Sequence, residues 1–235
     1  MAEKIAGRLN PPPSQAEFDA IPLAGLCSYV SGAAYRLHAT NPETGAAWPP
    51  VHFSRRGGSR FDPSAGIGTL CLGETFAGAL MELFNDHWGP VGSFGRRVTE
   101  QTLSSTWVSL VRMPRVCLFD ATGPNLSKIG TDAQLLTGEY AVTQQWALRL
   151  MQHPAAVDGI LYRSRHDPQR VNAALFGRSW LTEGVRRDKL KAVGWRRWER
   201  DTKRKGTISH DAAMLLRDHP ELKGALVELQ VARLP

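Results

Sequence analysis

The chain has 235 residues, 42% hydrophobic and 22% charged, the balance of a globular protein with room for one substantial core. Its formal charge is +7, and the stretch between Arg186 and Lys205 holds ten Lys/Arg against three acids; the remainder, with 19 charges of each sign, is neutral. No uncharged apolar run approaches the ~18 residues of a membrane helix, no charged-then-apolar leader opens the chain, and Cys27, Cys71 and Cys117 are odd in number and far apart. A membrane span, a secretory signal, a disulfide framework and a zinc site are therefore not expected, and a reducing, cytoplasmic setting is.

In chain order, residues 1–30 read as an N-terminal extension. Pro11-Pro12-Pro13 favours extended backbone, and residues 15–26 read as a helix capped by Ser14. Residues 33–39 alternate as a strand, with Tyr35 and Leu37 on one face and Arg36 and His38 on the other. A Pro- and Gly-rich loop follows, then a strand over 66–72 and a helix over 75–84. Strands are expected at 107–111 and 116–120, separated by Pro114, and a helix over 131–151 broken near Gly138. Short apolar strands at 159–162 and 173–176 precede the basic segment, and Ser209 reads as the cap of a last helix over 209–217. Strands and helices interleave without regular alternation, which favours α+β. The expected organisation is an extension at 1–30, a domain at 31–180 and a basic C-terminal extension at 181–235 that includes a terminal helix.

Four polar positions interrupt apolar surroundings. Arg36 lies within a strand, Arg60 within Arg-Phe-Asp-Pro, Glu82 on the apolar helix AGALMELF, and Ser164 just after GILY. Each alone has an ordinary structural reading: a surface or ion-paired arginine, the outer edge of an amphipathic helix, a turn serine. Together they indicate a pocket for a phosphorylated ligand, because guanidinium groups grip phosphate oxygens bidentately. Gly78 and Ala79, one turn before Glu82, leave space beside its carboxylate. Ser164 lacks a Gly-x-Ser-x-Gly setting, and no phosphate-binding loop, His-Glu-x-x-His or Gly-x-Gly-x-x-Gly is present. Among the seven histidines, His38 stands out for its place two residues after Arg36.

These residues also occur in a recognisable order: Tyr35-Arg36, Arg60-Phe-Asp-Pro, GTLCLGET, Ala79-Leu-Met-Glu82, GILYR-Ser164 and Asn172-Ala-Ala-Leu-Phe176. The order, with Arg60 placed 22 residues before Glu82, resembles the RES domain over roughly residues 33–180. The resemblance implies an ADP-ribosyltransferase-like fold, a mixed or antiparallel sheet with surrounding helices. It further implies a bacterial toxin that consumes NAD⁺ by hydrolysis, phosphorolysis or ADP-ribose transfer, without a separate cofactor or metal. Glu82, Arg36 and Ser164 would then be catalytic, and Arg36, Tyr35, Arg60, Cys71 and Ser164 would bind NAD⁺. The implied partner is an Xre-type helix-turn-helix antitoxin. One position departs from the pattern: Cys71 stands where the family usually has a tyrosine, 11 residues before the glutamate.

Two alternatives stay open on the sequence. One is a degenerate RES domain acting through protein contacts, with Cys71 as its sign. The other is a nucleic-acid module in which Arg186 to Lys205, with Trp195 and Trp198, contacts a polyanion. The plainer reading of that segment is a solvated helix face.

Overall fold

The computed structural model describes residues 9–84, 96–179, 181–185, 194–198 and 207–234. The chain opens with α1 (Gln15–Asp19), a 3₁₀ turn over Leu23–Leu26, and β1 (Cys27–Ala39). Next come β2 (Thr69–Gly73), α2 (Phe76–Phe84), β3 (Arg96–Thr99), α3 (Glu100–Ser105) and β4 (Thr106–Asp120). Three helices, α4 (Asn125–Lys128), α5 (Gln134–Thr137) and α6 (Tyr140–Gln152), lead to β5 (Gly159–Arg163) and β6 (Val171–Phe176). The chain continues with β7 (Thr182–Val185), β8 (Gly194–Trp198), β9 (Thr207–His210) and β10 (Met214–Leu215). It closes with a 3₁₀ turn, α7 (Leu222–Glu228) and β11 (Val231–Leu234).

The main sheet runs β7-β9-β4-β5-β6-β2-β1-β8, with β10 attached to β4, and β1 also pairs directly with β4. The path β1-β4-β5-β6-β2 therefore returns to β1, where Tyr35 meets Gly73. Most pairings are antiparallel, whereas β4–β5 and β7–β9 are parallel. This mixed sheet with helices around it is the α+β architecture expected from the sequence. Among the described residues no helix is long and apolar enough to cross a membrane.

Several local expectations need correction. The helix over 15–26 stops at Asp19, because Pro22 removes an N–H and disfavours helical geometry at Ile21; the chain turns and resumes as 3₁₀. The Ser14 cap is present as a full capping box with Glu17. Pro114 does not divide two strands. It sits within one long β4, at the bulge where Gly32↔Met113 is followed by Val30↔Val116, so its missing N–H falls where the ladder is already interrupted. Gly32 takes φ 137° there, a conformation that suits glycine. The helix over 209–217 is instead strand β9, strand β10 and a 3₁₀ turn, because Ile208 and Ser209 are buried and residues 209–210 are paired with β4. Part of the basic segment, residues 194–198, pairs its backbone with β1 as strand β8 and not as a helix face; the rest of residues 186–205 lies outside the described residues.

Three apolar clusters flank and fill this sheet. One joins α6 to the N-terminal segment: Phe18 meets Trp146 edge-on with ring centroids 5.9 Å apart. Trp146 donates its indole N–H to Asn10 O (2.9 Å) and Arg149 donates to Pro13 O (3.1 Å), so the proline run lies along α6. A second cluster packs α2, α3 and α7 around Phe76, Leu80 and Leu226, and a third lies among the strands around Leu70, Val111 and Leu118. Gly73 sets the distance from β2 to α2, since a Cβ there would stand 2.8 Å from the Ala79 Cβ.

Phe18 is fully buried, so its truncation leaves a cavity between the N-terminal segment and α6. Phe18→Ala should lower unfolding stability by about 3–5 kcal/mol, read by denaturant titration; a loss under about 1 kcal/mol would show that α1 is not part of the cooperative core.

Candidate active site

A cavity of about 640 Å³ opens between the ends of β1 and β2, α2, the loop over 54–62, the end of β5 and the α5–α6 junction. Its lining includes Tyr35, Arg36, Arg60, Cys71 and Glu82, so five of the six candidate site residues line one cavity, contributed by four separate stretches of chain.

Alternation along β1 separates two neighbours. The Tyr35 ring packs edge-on against Phe76 and His219, and its hydroxyl donates to the Glu221 carboxylate. Tyr35 thus borders the cavity while its ring and hydroxyl serve the α2–α7 cluster. Arg36 reaches the other way, donating from Nη1 to Cys71 O at 3.1 Å, and its Nε is buried without a partner. Burial lowers the pKa of Arg36, which makes a counter-anion in the cavity favourable. His38 bonds Ser109 at 3.0 Å, and burial, with the charge of Arg36, pushes its pKa down to about 4.

Arg60 is held by α6. Thr143 donates to Arg60 O (3.0 Å), Gln144 donates to Gly57 O (2.9 Å) and Ser59 O (2.8 Å), and Arg60 itself donates to Gly138 O where α5 breaks from α6. Its guanidinium lies 5.0 Å from the centre of the Tyr140 ring. Two residues on, Asp62 is buried; one oxygen accepts from Ser54 Oγ at 2.7 Å and the other is buried without a partner.

Glu82 stands on α2 between buried Met81 and exposed Leu83, and is itself exposed where α2 lines the cavity. Loss of surrounding water pushes its pKa up, opposed by hydrogen bonds from Ser164 and Tyr162 and by the charges of Arg165 and Arg60. Tyr162 donates at 3.4 Å. The Ser164 hydroxyl, which is buried, also accepts from the His166 N–H at 3.2 Å. Ser164 is therefore placed behind Glu82 as both a turn serine and a carboxylate partner, rather than along the cavity wall. Burial raises the Cys71 thiol, whereas nearby Arg36 opposes that rise. Phe61 and Tyr162, edge-to-face at 5.1 Å, supply aromatic surface in the same cavity.

Sequence reasoning assigned no role to Tyr162, Asp62, Arg165, Arg56 or Tyr140, all of which line the cavity. Tyr162 and Asp62 lie within the quoted motifs, and only their partners reveal that they face the site. Arg56, Arg60, Arg36 and Arg165 against Asp62 and Glu82 leave the lining with a net charge of +2, that of an anion site. Among the described residues no group of three or more His, Cys, Asp or Glu is placed to hold a metal ion.

A family model for the RES domain matches residues 33–193, more than half of the chain. The chain belongs to the RES domain family. In fold, this RES domain protein is similar to a chain of the M. tuberculosis MbcT–MbcA toxin–antitoxin complex. The TM-score is 0.54 at 12% sequence identity, over 70% of this chain and 84% of that chain. No curated protein matches the sequence.

Since Glu82 holds its proton more tightly folded than unfolded, its stability contribution falls as pH rises above the ordinary value of 4.5. Glu82→Gln should therefore melt at the same temperature as the parent or higher at neutral pH, with the difference shrinking on acidification. A variant that melts lower at neutral pH would show that the carboxylate is a structural ion-pair partner.

Proposed function

We propose that the cavity binds NAD⁺ and that the protein cleaves the nicotinamide–ribose bond, acting as a toxin restrained by an antitoxin of the Xre helix-turn-helix type. The observation that carries the reading is the convergence of Arg36, Arg60 and Glu82 on one cavity of dinucleotide size. Family membership supports it, as does the fold likeness to a chain crystallised as part of a toxin–antitoxin complex.

In this reading the arginines hold the pyrophosphate and place the ribose against Glu82. Cleavage builds positive charge on the ribose, as in glycoside chemistry, and nicotinamide leaves as a neutral molecule. A carboxylate held beside the ribose stabilises that charge more strongly in the transition state than in the ground state. Tyr162 and Ser164 orient the carboxylate by donating to it. Water, inorganic phosphate or a protein side chain completes the exchange at the ribose carbon. Phe61 and Tyr162 offer the aromatic surface that Cys71 does not.

Purified protein should deplete NAD⁺ with release of nicotinamide, and Glu82→Gln should lose at least about a hundredfold in kcat while remaining folded. Turnover at the parent's rate in that variant would remove Glu82 from the mechanism. Because the active form is the carboxylate and its pKa is raised, activity should fall on acidification at a pH above 4.5. An acidic limb at or below that value would mean that a different group controls the rate. Arg60→Ala should raise KM for NAD⁺ more than tenfold; an unchanged KM excludes Arg60 as a phosphate anchor.

A further inference from the structure

The cavity has an apolar lip that the chemistry at Glu82 does not use. Among the described residues the large hydrophobic side chains left exposed are Leu83, Tyr140, Met214 and Val227. Two of these four, Leu83 and Tyr140, line this cavity, joined by the half-buried Leu136. Exposed apolar surface concentrated at the mouth of a charged cavity marks a ligand that is itself part ionic and part apolar.

The order of groups says which part of a dinucleotide the lip receives. Arg60 is near two groups: its charge acts on Glu82, and its guanidinium lies 5.0 Å from the centre of the Tyr140 ring. If Arg60 holds the pyrophosphate, the ribose that reacts lies toward Glu82, and the opposite half of the molecule lies toward Tyr140. Tyr140 is the first residue of α6, and the residue keeps 37% exposure although Arg60 lies against its ring. Leu136, on the neighbouring helix α5, extends the apolar surface beside it.

We infer that Tyr140 and Leu136 form the seat of the adenine ring, with Tyr140 as its stacking platform. The inference rests on the NAD⁺ reading above and deepens it. It separates the two ends of the ligand: the nicotinamide riboside half meets Glu82, and the adenylate half meets the α5–α6 junction. Because Gly138 O also binds Arg60, one junction positions both the phosphate anchor and the base platform.

Equilibrium binding of two probes tests this, with parent, Tyr140→Ala and Tyr140→Phe proteins checked for equal melting temperature. ADP-ribose carries the adenylate half, whereas nicotinamide mononucleotide lacks it. Tyr140→Ala should weaken ADP-ribose binding roughly tenfold or more, leave nicotinamide mononucleotide binding within about twofold, and be rescued by Tyr140→Phe. Unchanged ADP-ribose affinity in Tyr140→Ala overturns the inference and leaves the lip to a protein partner. Equal weakening of both probes overturns it too, since Tyr140 would then act through Arg60. A parent that binds ADP-ribose but does not cleave NAD⁺ sinks the enzymatic reading and leaves the adenine seat standing; a parent that binds neither probe sinks both.

Discussion

The antiparallel pairing of β1 with β4, running from Cys27↔Phe119 to Ala39↔Thr106, is the constraint on which the rest depends. A strand as long as β1 cannot be matched by one short neighbour on its other edge, so that edge is shared between β8 and a single contact with β2. In the same way β4 shares its second edge among β10, β9 and β5. Two long strands with divided partners let the sheet part at one end, and the cavity lies where β2 meets β1 only at Tyr35↔Gly73. Arg36 is the next residue along β1. It sits where the ladder to β2 has ended, and its Nη1 reaches back to the Cys71 carbonyl.

Helix α2 closes that end, and its position follows from small residues. Gly73 admits the Ala79 backbone to within contact of β2, and Phe76, Leu80 and Phe84 bury the opposite side of the helix against α7 and the Leu216 turn. With the helix held between these surfaces, Glu82 has one direction left, into the cavity. The C-terminal segment that supplies α7 lies beyond the residues that match the RES family, yet it touches Tyr35 through Glu221 and His219. It is therefore part of what holds the candidate site in place. The Arg170–Glu228 ion pair joins α7 to the residue just before β6, is exposed at the Glu228 end and adds little energy.

Electrostatics give the site its character. Arginines outnumber acids along the lining, and burial disfavours the charge on Arg36 and Glu82 alike. Such an arrangement is costly when empty of counter-charge and becomes favourable when a ligand brings phosphates to the arginines. Asp62, which also lines the cavity, is buried with one oxygen unpartnered. Cys71 lines the cavity with a thiol, and Phe61 and Tyr162 face the same space from neighbouring loop and strand.

Much was readable from the chain alone. The apolar strands at β2, β5 and β6, the helix carrying Glu82, the break at Gly138 and the Ser14 cap all follow from local pattern and capping chemistry. So did the grouping of Arg36, Arg60 and Glu82, because charged residues inside apolar runs need a reason to be there. What local pattern did not reveal depends on distant partners. Residues 27–32 become strand because β4 and β8 border them, Pro114 is tolerated because a bulge lies opposite, and 207–210 become strand because their buried side chains meet β4. Tyr140 carries no signal of its own, being a single aromatic at a helix start, and Ser164 reads equally well as a turn residue. Residue types and their short-range periodicity thus determined which segments were apolar and which charges were out of place. Only the tertiary structure decided which of those charges share a cavity, because side-chain direction is set by strand register and helix packing between segments far apart in sequence.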